Sequence, residues 1–174
     1  MKKPKVLVTS VLPGNTQNLL EENFELTVMS KQDFTREELL ENAKDKDAIV
    51  STLVARIDEE FLRQCPEIKI AANVAVGYDN IDVAAASKRG VLVCNTPGVL
   101  TDTTADLAFG LLLATARRIP ESEQYLREGR WQSFSMELLL GVDVHHKTVG
   151  IIGMGRIGQA FAARARGFSM KVIY

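Results

Sequence analysis

The chain has 174 residues, of which 46% are hydrophobic and 25% charged, with a formal net charge of −1 at pH 7. These values are typical of a globular protein and argue against a nucleic-acid or membrane surface as its partner. Because no apolar run reaches about 18 residues, we predict no membrane span. Cys65 and Cys94 lack the spacing of a metal site. We therefore expect two free thiols, no bound metal and a cytoplasmic location.

Short apolar runs alternate with helical patterns through the first half of the chain. Thr35 with Glu38 has the spacing of a capping box and marks the start of one helix. Such alternation indicates βαβ units and a parallel sheet. We therefore predict a five-stranded, flavodoxin-like unit from Lys5 to about Pro97. The predicted strands are 5–10, 24–29, 47–52, 68–77 and 91–98, with helices at 16–23, 35–45, 58–66 and 80–90.

The pattern changes after residue 98. A helix is predicted to begin at Asp102 or Thr103, with Thr103 and Asp106 resembling a capping box. The run 107–117 is apolar almost all round, which predicts a buried helix. Pro120 should bend or restart that helix, and 131–147 has no clear period and is predicted to be an extended arm.

A glycine-rich turn, GMGRIG, follows the strand-like run 148–152 and precedes a helical pattern. In a dinucleotide-binding fingerprint, Gly153 makes the tight turn, Gly155 lets the backbone approach a pyrophosphate, and Gly158 lets helix and strand pack closely. The pyrophosphate lies on the N-terminus of the helix, where free N–H groups point at it. The alternative is an ordinary strand-to-helix turn that happens to be rich in glycine.

The fingerprint predicts NAD(H) or NADP(H) as the cofactor, bound by its glycines together with Arg156 and Ile157. The residue that would choose between the two lies about 20 positions beyond the turn. That position falls just past Tyr174, so the sequence leaves the choice open.

Two stretches, 73–118 (NVAVGYDNIDVAAASKRGVLVCNTPGVLTDTTADLAFGLLLATARR) and 148–164 (TVGIIGMGRIGQAFAAR), resemble the D-isomer-specific 2-hydroxyacid dehydrogenases. Within that family they are most similar to glyoxylate/hydroxypyruvate reductases and 2-ketogluconate reductases. The resemblance implies an α/β fold with a flavodoxin-like parallel-sheet substrate domain at 1–99. The start of a Rossmann NAD(P)-binding domain would follow at 100–174. It also implies a homodimer and a normal length nearly twice that of this chain.

The resemblance assigns roles to individual residues. Val76 and Gly77 match a loop whose backbone N–H groups hold the substrate carboxylate, and we expect a larger side chain at Gly77 to strain that turn. The alternative for this loop is a plain turn. Leu53 matches an apolar substrate contact. Thr104 matches a position near the nicotinamide, although its hydroxyl would also suit a helix cap.

The activity implied is reduction of a small 2-keto acid, of the glyoxylate or hydroxypyruvate type, to the D-2-hydroxy acid. The family's catalytic Arg, Glu and His are expected beyond residue 174, so this chain should hold no catalytic residue and be inactive alone. We interpret His145 and His146 as surface residues. The alternative function is a non-catalytic, NAD(H)-sensing interaction protein of the same fold, similar to a corepressor.

Overall fold

A computed structural model describes residues 2–31 and 33–174. The chain divides into two compact units, Met1–Pro97 and Gly98–Tyr174, so the division falls two residues before the predicted one. None of the helices in the described residues combines the length and apolar character that a membrane span requires.

The first unit is a sheet of five parallel strands in the order β2-β1-β3-β4-β5, which confirms the flavodoxin-like prediction. Each predicted strand exists but leaves the sheet before the predicted end, because its last residues enter the following loop. The elements are β1 (Lys5–Val8), α1 (Thr16–Asn23), β2 (Glu25–Val28), α2 (Arg36–Ala43), β3 (Ala48–Ser51), α3 (Glu59–Gln64), β4 (Ile70–Asn73), α4 (Val83–Lys88) and β5 (Leu92–Cys94).

Two hydrophobic clusters cover the two faces of this sheet, because successive side chains of a strand point to opposite faces. Leu7 of β1 belongs to the larger cluster, which packs against α2, α3 and α4. Its neighbours Val6 and Val8 belong to the smaller cluster, which contains Leu20 of α1. The helix α2 begins as predicted, since Thr35 and Glu38 form a reciprocal capping box.

The second unit contains α5 (Thr101–Ala116), α6 (Ile119–Arg127), β6 (Thr148–Gly150), α7 (Arg156–Gly167) and β7 (Lys171–Ile173), with β6 and β7 paired in parallel. Its core joins Phe109 of α5 to Val149 of β6 and Ala165 of α7. The predicted arm contains no strand or helix within 131–147, and the chain restarts as α6 around Pro120, as predicted.

Two predictions for α5 are wrong. The helix begins at Thr101 with Leu100 at the N-cap position, so Thr103 and Asp106 form no capping box. Instead, the Asp106 carboxylate accepts a hydrogen bond from Arg164 of α7. The apolar run is not buried all round in this chain either, because Leu107 is 65% exposed and Leu111 is also exposed.

Candidate functional site

The carboxyl ends of β1 and β3 meet where the strand order of the sheet reverses. In open α/β sheets, ligands bind in the crevice outside this topological switch point. A cavity of about 270 Å³ lies there. Its lining residues are Ser10, Thr52, Leu53, Val54 and Val74. The structure therefore places Leu53, which is 60% exposed, in the wall of a cavity at the expected edge of the sheet.

The loop after β4, which we call the amide loop (residues 75–78), has three successive carbonyl groups held by hydrogen bonds. The carbonyl of Ala75 accepts from the backbone N–H of Thr96 at 2.9 Å. The carbonyl of Val76 accepts from Asn95 Nδ2 at 2.8 Å, and that of Gly77 accepts from Asn73 Nδ2 at 2.9 Å. Each peptide plane of the loop is thus fixed from its oxygen side.

Fixing these oxygens also orients the N–H groups of the amide loop. The peptide bonds are trans, and in a trans peptide the N–H of one residue points opposite to the carbonyl of the residue before it. The N–H groups of Val76, Gly77 and Tyr78 consequently point away from the three donors that hold the loop. Within residues 2–31 and 33–174, none of the three donates a hydrogen bond to an acceptor. The loop presents consecutive free donors, which is the arrangement that binds an anion.

The expectation that a side chain at Gly77 would strain the turn is wrong. Gly77 is not among the residues with positive φ. A Cβ built there would make only an ordinary contact, with Asp79 Oδ2 at 3.6 Å. Neither the backbone conformation of Gly77 nor crowding at its Cβ therefore requires glycine at this position.

Buried polar side chains support the loops around this crevice, and the sequence motifs did not identify them as site residues. Ser51 Oγ donates to Asn73 Oδ1 at 2.9 Å, and Asn73 and Asn80 face each other through their amides. Thr9, also buried, accepts at Oγ1 from the N–H of Thr52. The available signal was the position of Ser51 and Asn73 as polar residues at the ends of otherwise apolar strands.

The glycine-rich turn of the second unit has a geometry that requires glycine at two positions. Gly153 has a φ of 100°, a conformation that other residues rarely adopt. A Cβ on Gly158 would lie 2.2 Å from the Gly153 carbonyl oxygen and 3.4 Å from Ile151 Cγ2. Gly158 thus permits close contact mainly between α7 and the turn. The fingerprint implied close packing between the helix and the strand.

Gly155 differs from these two glycines because it faces open space. It is the N-cap residue of α7, and a Cβ there would have no atom within 4 Å among the described residues. No side chain caps α7, and its first turn contains no acidic residue. The N–H groups of Arg156, Ile157 and Gly158 therefore open a helix whose positive end is available to an anion.

The remaining candidate residues lie in the second unit. Thr104 is half-buried within the first turn of α5, and its N–H donates to the Leu100 carbonyl, so its hydroxyl is not a helix cap. His145 and His146 are exposed, as expected for surface residues, with His145 Nε2 3.7 Å from Asp143 Oδ1. Among the described residues, no group of three or more His, Cys, Asp or Glu side chains could hold a metal ion.

A parallel sheet with a switch in strand order, followed by a glycine-rich strand–turn–helix unit, is typical of the α/β dehydrogenases that use dinucleotides. The sequence profile of the "D-isomer specific 2-hydroxyacid dehydrogenase, catalytic domain" family matches residues 6–170, and the chain belongs to that family.

Relatives with known names or structures agree with this assignment. The glyoxylate reductase of Pyrococcus furiosus is 49% identical over 177 residues, an alignment that covers 99% of this chain and 53% of that protein. The TT0316 protein of Thermus thermophilus is 44% identical, with a TM-score of 0.92 over 98% of this chain and 55% of the other.

A third relative is the NADPH-dependent glyoxylate/hydroxypyruvate reductase of Sinorhizobium meliloti, solved with NADP and malonate. It is 33% identical, with a TM-score of 0.75 over 99% of this chain and 53% of that one. The chain thus spans about half the length of the relatives that it matches.

Substituting alanine at Gly158 and at Gly155 should separate a structural glycine from a functional one. Gly158→Ala forces the backbone to shift, and we expect it to lower the free energy of unfolding by about 1–3 kcal/mol. Gly155→Ala adds a methyl group in open space and should cost about 1 kcal/mol or less, the difference between glycine and alanine at an N-cap.

Urea unfolding followed by circular dichroism and by the fluorescence of Trp131, the single tryptophan, would measure both variants. Because both substitutions are Gly→Ala, they have similar effects on the unfolded chain. Equal losses of stability would contradict the distinction.

Proposed function

We propose that this chain is the N-terminal part of an NAD(P)H-dependent reductase that converts a small 2-keto acid of the glyoxylate or hydroxypyruvate type to its D-2-hydroxy acid. The amide loop is the observation that carries the proposal, because free backbone donors beside a cavity at the switch point suit a small carboxylate. The names of the relatives support it, since the Pyrococcus furiosus protein is a glyoxylate reductase and the Sinorhizobium meliloti enzyme was solved with malonate, a small dicarboxylate.

In this proposal the N–H groups of Val76 and Gly77 bind the substrate carboxylate. Hydrogen bonds to a charged acceptor are stronger than those to a neutral one, and the donors require no rearrangement because their carbonyls are already held. Leu53 contributes an apolar wall, so the part of the substrate beyond the carboxylate should be small. The first unit is then the substrate-binding domain.

The second unit is the NAD(P)-binding domain in this proposal, and its residues fit that role. Gly153, Gly155 and Gly158 shape the turn, and the N–H groups of Arg156 and Ile157 bind the pyrophosphate at the start of α7. Thr104 would lie near the nicotinamide. NAD(P)H supplies the hydride when bound. The chain's own contribution is to hold and orient both ligands, and the groups that polarise and protonate the keto oxygen belong to the remaining half of the relatives' length.

We further propose a cytoplasmic location, supported by Cys65 and Cys94, which are both free thiols. We also propose a homodimer formed through the second unit. That proposal is supported by the strong exposure of apolar side chains in the arm, where Phe134 is 83% exposed and Met136 80%.

The 174-residue chain alone should not reduce glyoxylate or hydroxypyruvate with NADH or NADPH, because the family's catalytic Arg, Glu and His are expected beyond residue 174. A protein that joins this chain to the remaining half of a relative such as the Pyrococcus furiosus enzyme should be active. Oxidation of NAD(P)H followed at 340 nm would compare the two. Steady-state turnover by the chain alone would contradict the placement of the catalytic groups.

The joined protein also tests the alternative function. If it binds a dinucleotide but reduces no 2-keto acid of this type, the NAD(H)-sensing role would be favoured over the reductase.

In the active protein, Gly77→Val should raise the KM for glyoxylate by about tenfold or more and leave cofactor affinity unchanged. The side chain would stand beside the N–H groups that the proposal assigns to the carboxylate, while the backbone can accept it without strain. Val83→Ala, an exposed change on the nearby helix α4, is the control and should leave the KM as it is. An unchanged KM for Gly77→Val would show that the carboxylate binds elsewhere.

Light scattering should show that the 174-residue chain forms dimers or larger species, because exposed apolar area promotes self-association. The double variant Phe134→Ser with Met136→Ser should shift the mass toward the monomer. Leu53→Ser, which removes an exposed apolar side chain from the first unit, should not. A monomeric wild-type chain at high concentration would contradict the proposed role of the arm.

A further inference from the structure

The Asn73 side chain is buried, at 2% exposure, and uses its full hydrogen-bonding capacity. Its oxygen accepts from Ser51 Oγ and from Asn80 Nδ2, and its nitrogen donates to the Gly77 carbonyl and to Asn80 Oδ1. No other side chain of similar size could make this set of bonds, because the set needs two donors and two acceptors on one short planar group.

Asn80 extends this network to the cavity wall. Its Nδ2 donates to the Ala55 carbonyl at 2.9 Å and lies 3.3 Å from the Thr52 carbonyl. The segment between these two carbonyls contains Leu53. The paired amides of Asn73 and Asn80 therefore join the loop that carries the apolar wall to the loop that carries the N–H donors.

The bond from Asn73 has a specific consequence for one donor. The Gly77 carbonyl and the Tyr78 N–H belong to the same trans peptide, so holding the oxygen toward Asn73 directs the hydrogen of Tyr78 the opposite way. Asn95 holds the Val76 carbonyl and thereby directs the Gly77 N–H. The Thr96 N–H holds the Ala75 carbonyl and thereby directs the Val76 N–H. Each free donor thus depends on a different partner.

We infer that the Tyr78 N–H is a third donor of the carboxylate site, and that Asn73, held by Asn80, is the residue that positions it. The inference rests on the proposed function, because it assumes that the anion of a 2-keto or 2-hydroxy acid binds at the amide loop. It adds a binding group and two positioning residues to that site. It also explains why a strand of a hydrophobic sheet ends in a buried asparagine.

The test is a titration of the ¹⁵N-labelled 174-residue chain with sodium glycolate, followed by the amide signals of Val76, Gly77 and Tyr78. Glycolate is the 2-hydroxy acid related to glyoxylate and does not react with lysine side chains. Ionic strength is held constant with chloride. Glycolamide, which has the same size but no carboxylate, is the ligand control. In the wild-type chain, we expect all three signals to shift with glycolate and not with glycolamide.

Two variants give a residue-resolved comparison. Asn73→Ala should abolish the response of Tyr78 while Val76 and Gly77 still respond, and it should weaken glycolate binding about tenfold. Asn95→Ala should instead abolish the response of Gly77. A merely structural effect of either substitution would reduce all three responses together. Asn42→Ala, which removes an amide bonded to the Glu38 carbonyl on the surface of α2, is the control and should change none of them.

The outcomes separate the inference from the proposed function. If Val76 and Gly77 respond in the wild-type chain and Tyr78 does not, the third donor is wrong and the proposed carboxylate site stands. If none of the three responds, the carboxylate site itself is wrong. Should Asn73→Ala fail to fold, Asn80→Ala provides the same test, since it leaves the Gly77 bond to Asn73 but removes its support. An unchanged Tyr78 response in a folded Asn80→Ala chain would overturn the positioning role of Asn80.

Discussion

The backbone groups that leave the carboxyl ends of parallel strands must find partners, and this constraint shapes the first unit. Inside the sheet the ladder satisfies them, and Ser51 and Asn73, the last paired residues of β3 and β4, are themselves buried. An unsatisfied buried polar group costs about 1–3 kcal/mol. Two side chains meet this requirement: Thr9 accepts from the Thr52 N–H, and Asn73, which accepts from Ser51, donates to the Gly77 carbonyl. Within the described residues no buried side-chain nitrogen or oxygen is left without a partner.

The same constraint produces the candidate carboxylate site. Satisfying the carbonyls of the amide loop from one side leaves its N–H groups pointing away from those partners, without acceptors among the described residues. The loop can therefore be rigid and still have unused hydrogen-bonding capacity. The stabilisation of the fold and the readiness to bind an anion follow from one set of bonds, and residues such as Asn73 serve both.

The glycine-rich turn also leaves backbone N–H groups without acceptors in the part of the chain that the structure describes, but for a different physical reason. Gln159 Nε2 donates to the Met154 carbonyl at 3.1 Å, and glycine geometry shapes the rest of the turn. Gly153 adopts a conformation closed to most residues, Gly158 admits the turn's own carbonyl at close range, and the helix dipole of α7 adds a positive potential. The proposed diphosphate site has open space at Gly155, where a Cβ would have no atom within 4 Å among the described residues. Leu53 and Val74 line a cavity of about 270 Å³, and the proposed carboxylate site would suit a smaller anion.

The sequence predicted the features that depend on local chemistry. The alternation of apolar runs predicted the five parallel strands, Thr35 and Glu38 predicted a capping box that forms, and Pro120 predicted the restart of a helix. Prediction from the sequence failed where a residue far away in the sequence determines the contact. Thr103 and Asp106 have capping-box spacing, but Asp106 is engaged by Arg164, 58 positions away.

The Asn73 network was missed for the same reason. Ser51 and Asn80, two members of this network, are 29 positions apart in the sequence. Only the folded sheet brings them together. Gly77 shows a different error: a larger side chain there was expected to strain the turn, but Gly77 has no positive φ and a Cβ would make only an ordinary contact.

The two units differ in how completely the described residues enclose their cores. In the first, the five strands have helices packed on both faces, and both clusters contain residues from strands and helices. In the second, β6 pairs only with β7 among the described residues, and Leu107, Leu111 and Ile152 are exposed. An apolar helix and a short parallel sheet with open edges gain stability when further chain or a second copy covers them. The proposed carboxylate site, by contrast, is built entirely from residues of the first unit. Carboxylate binding should therefore be the property of this chain that depends least on anything added to it.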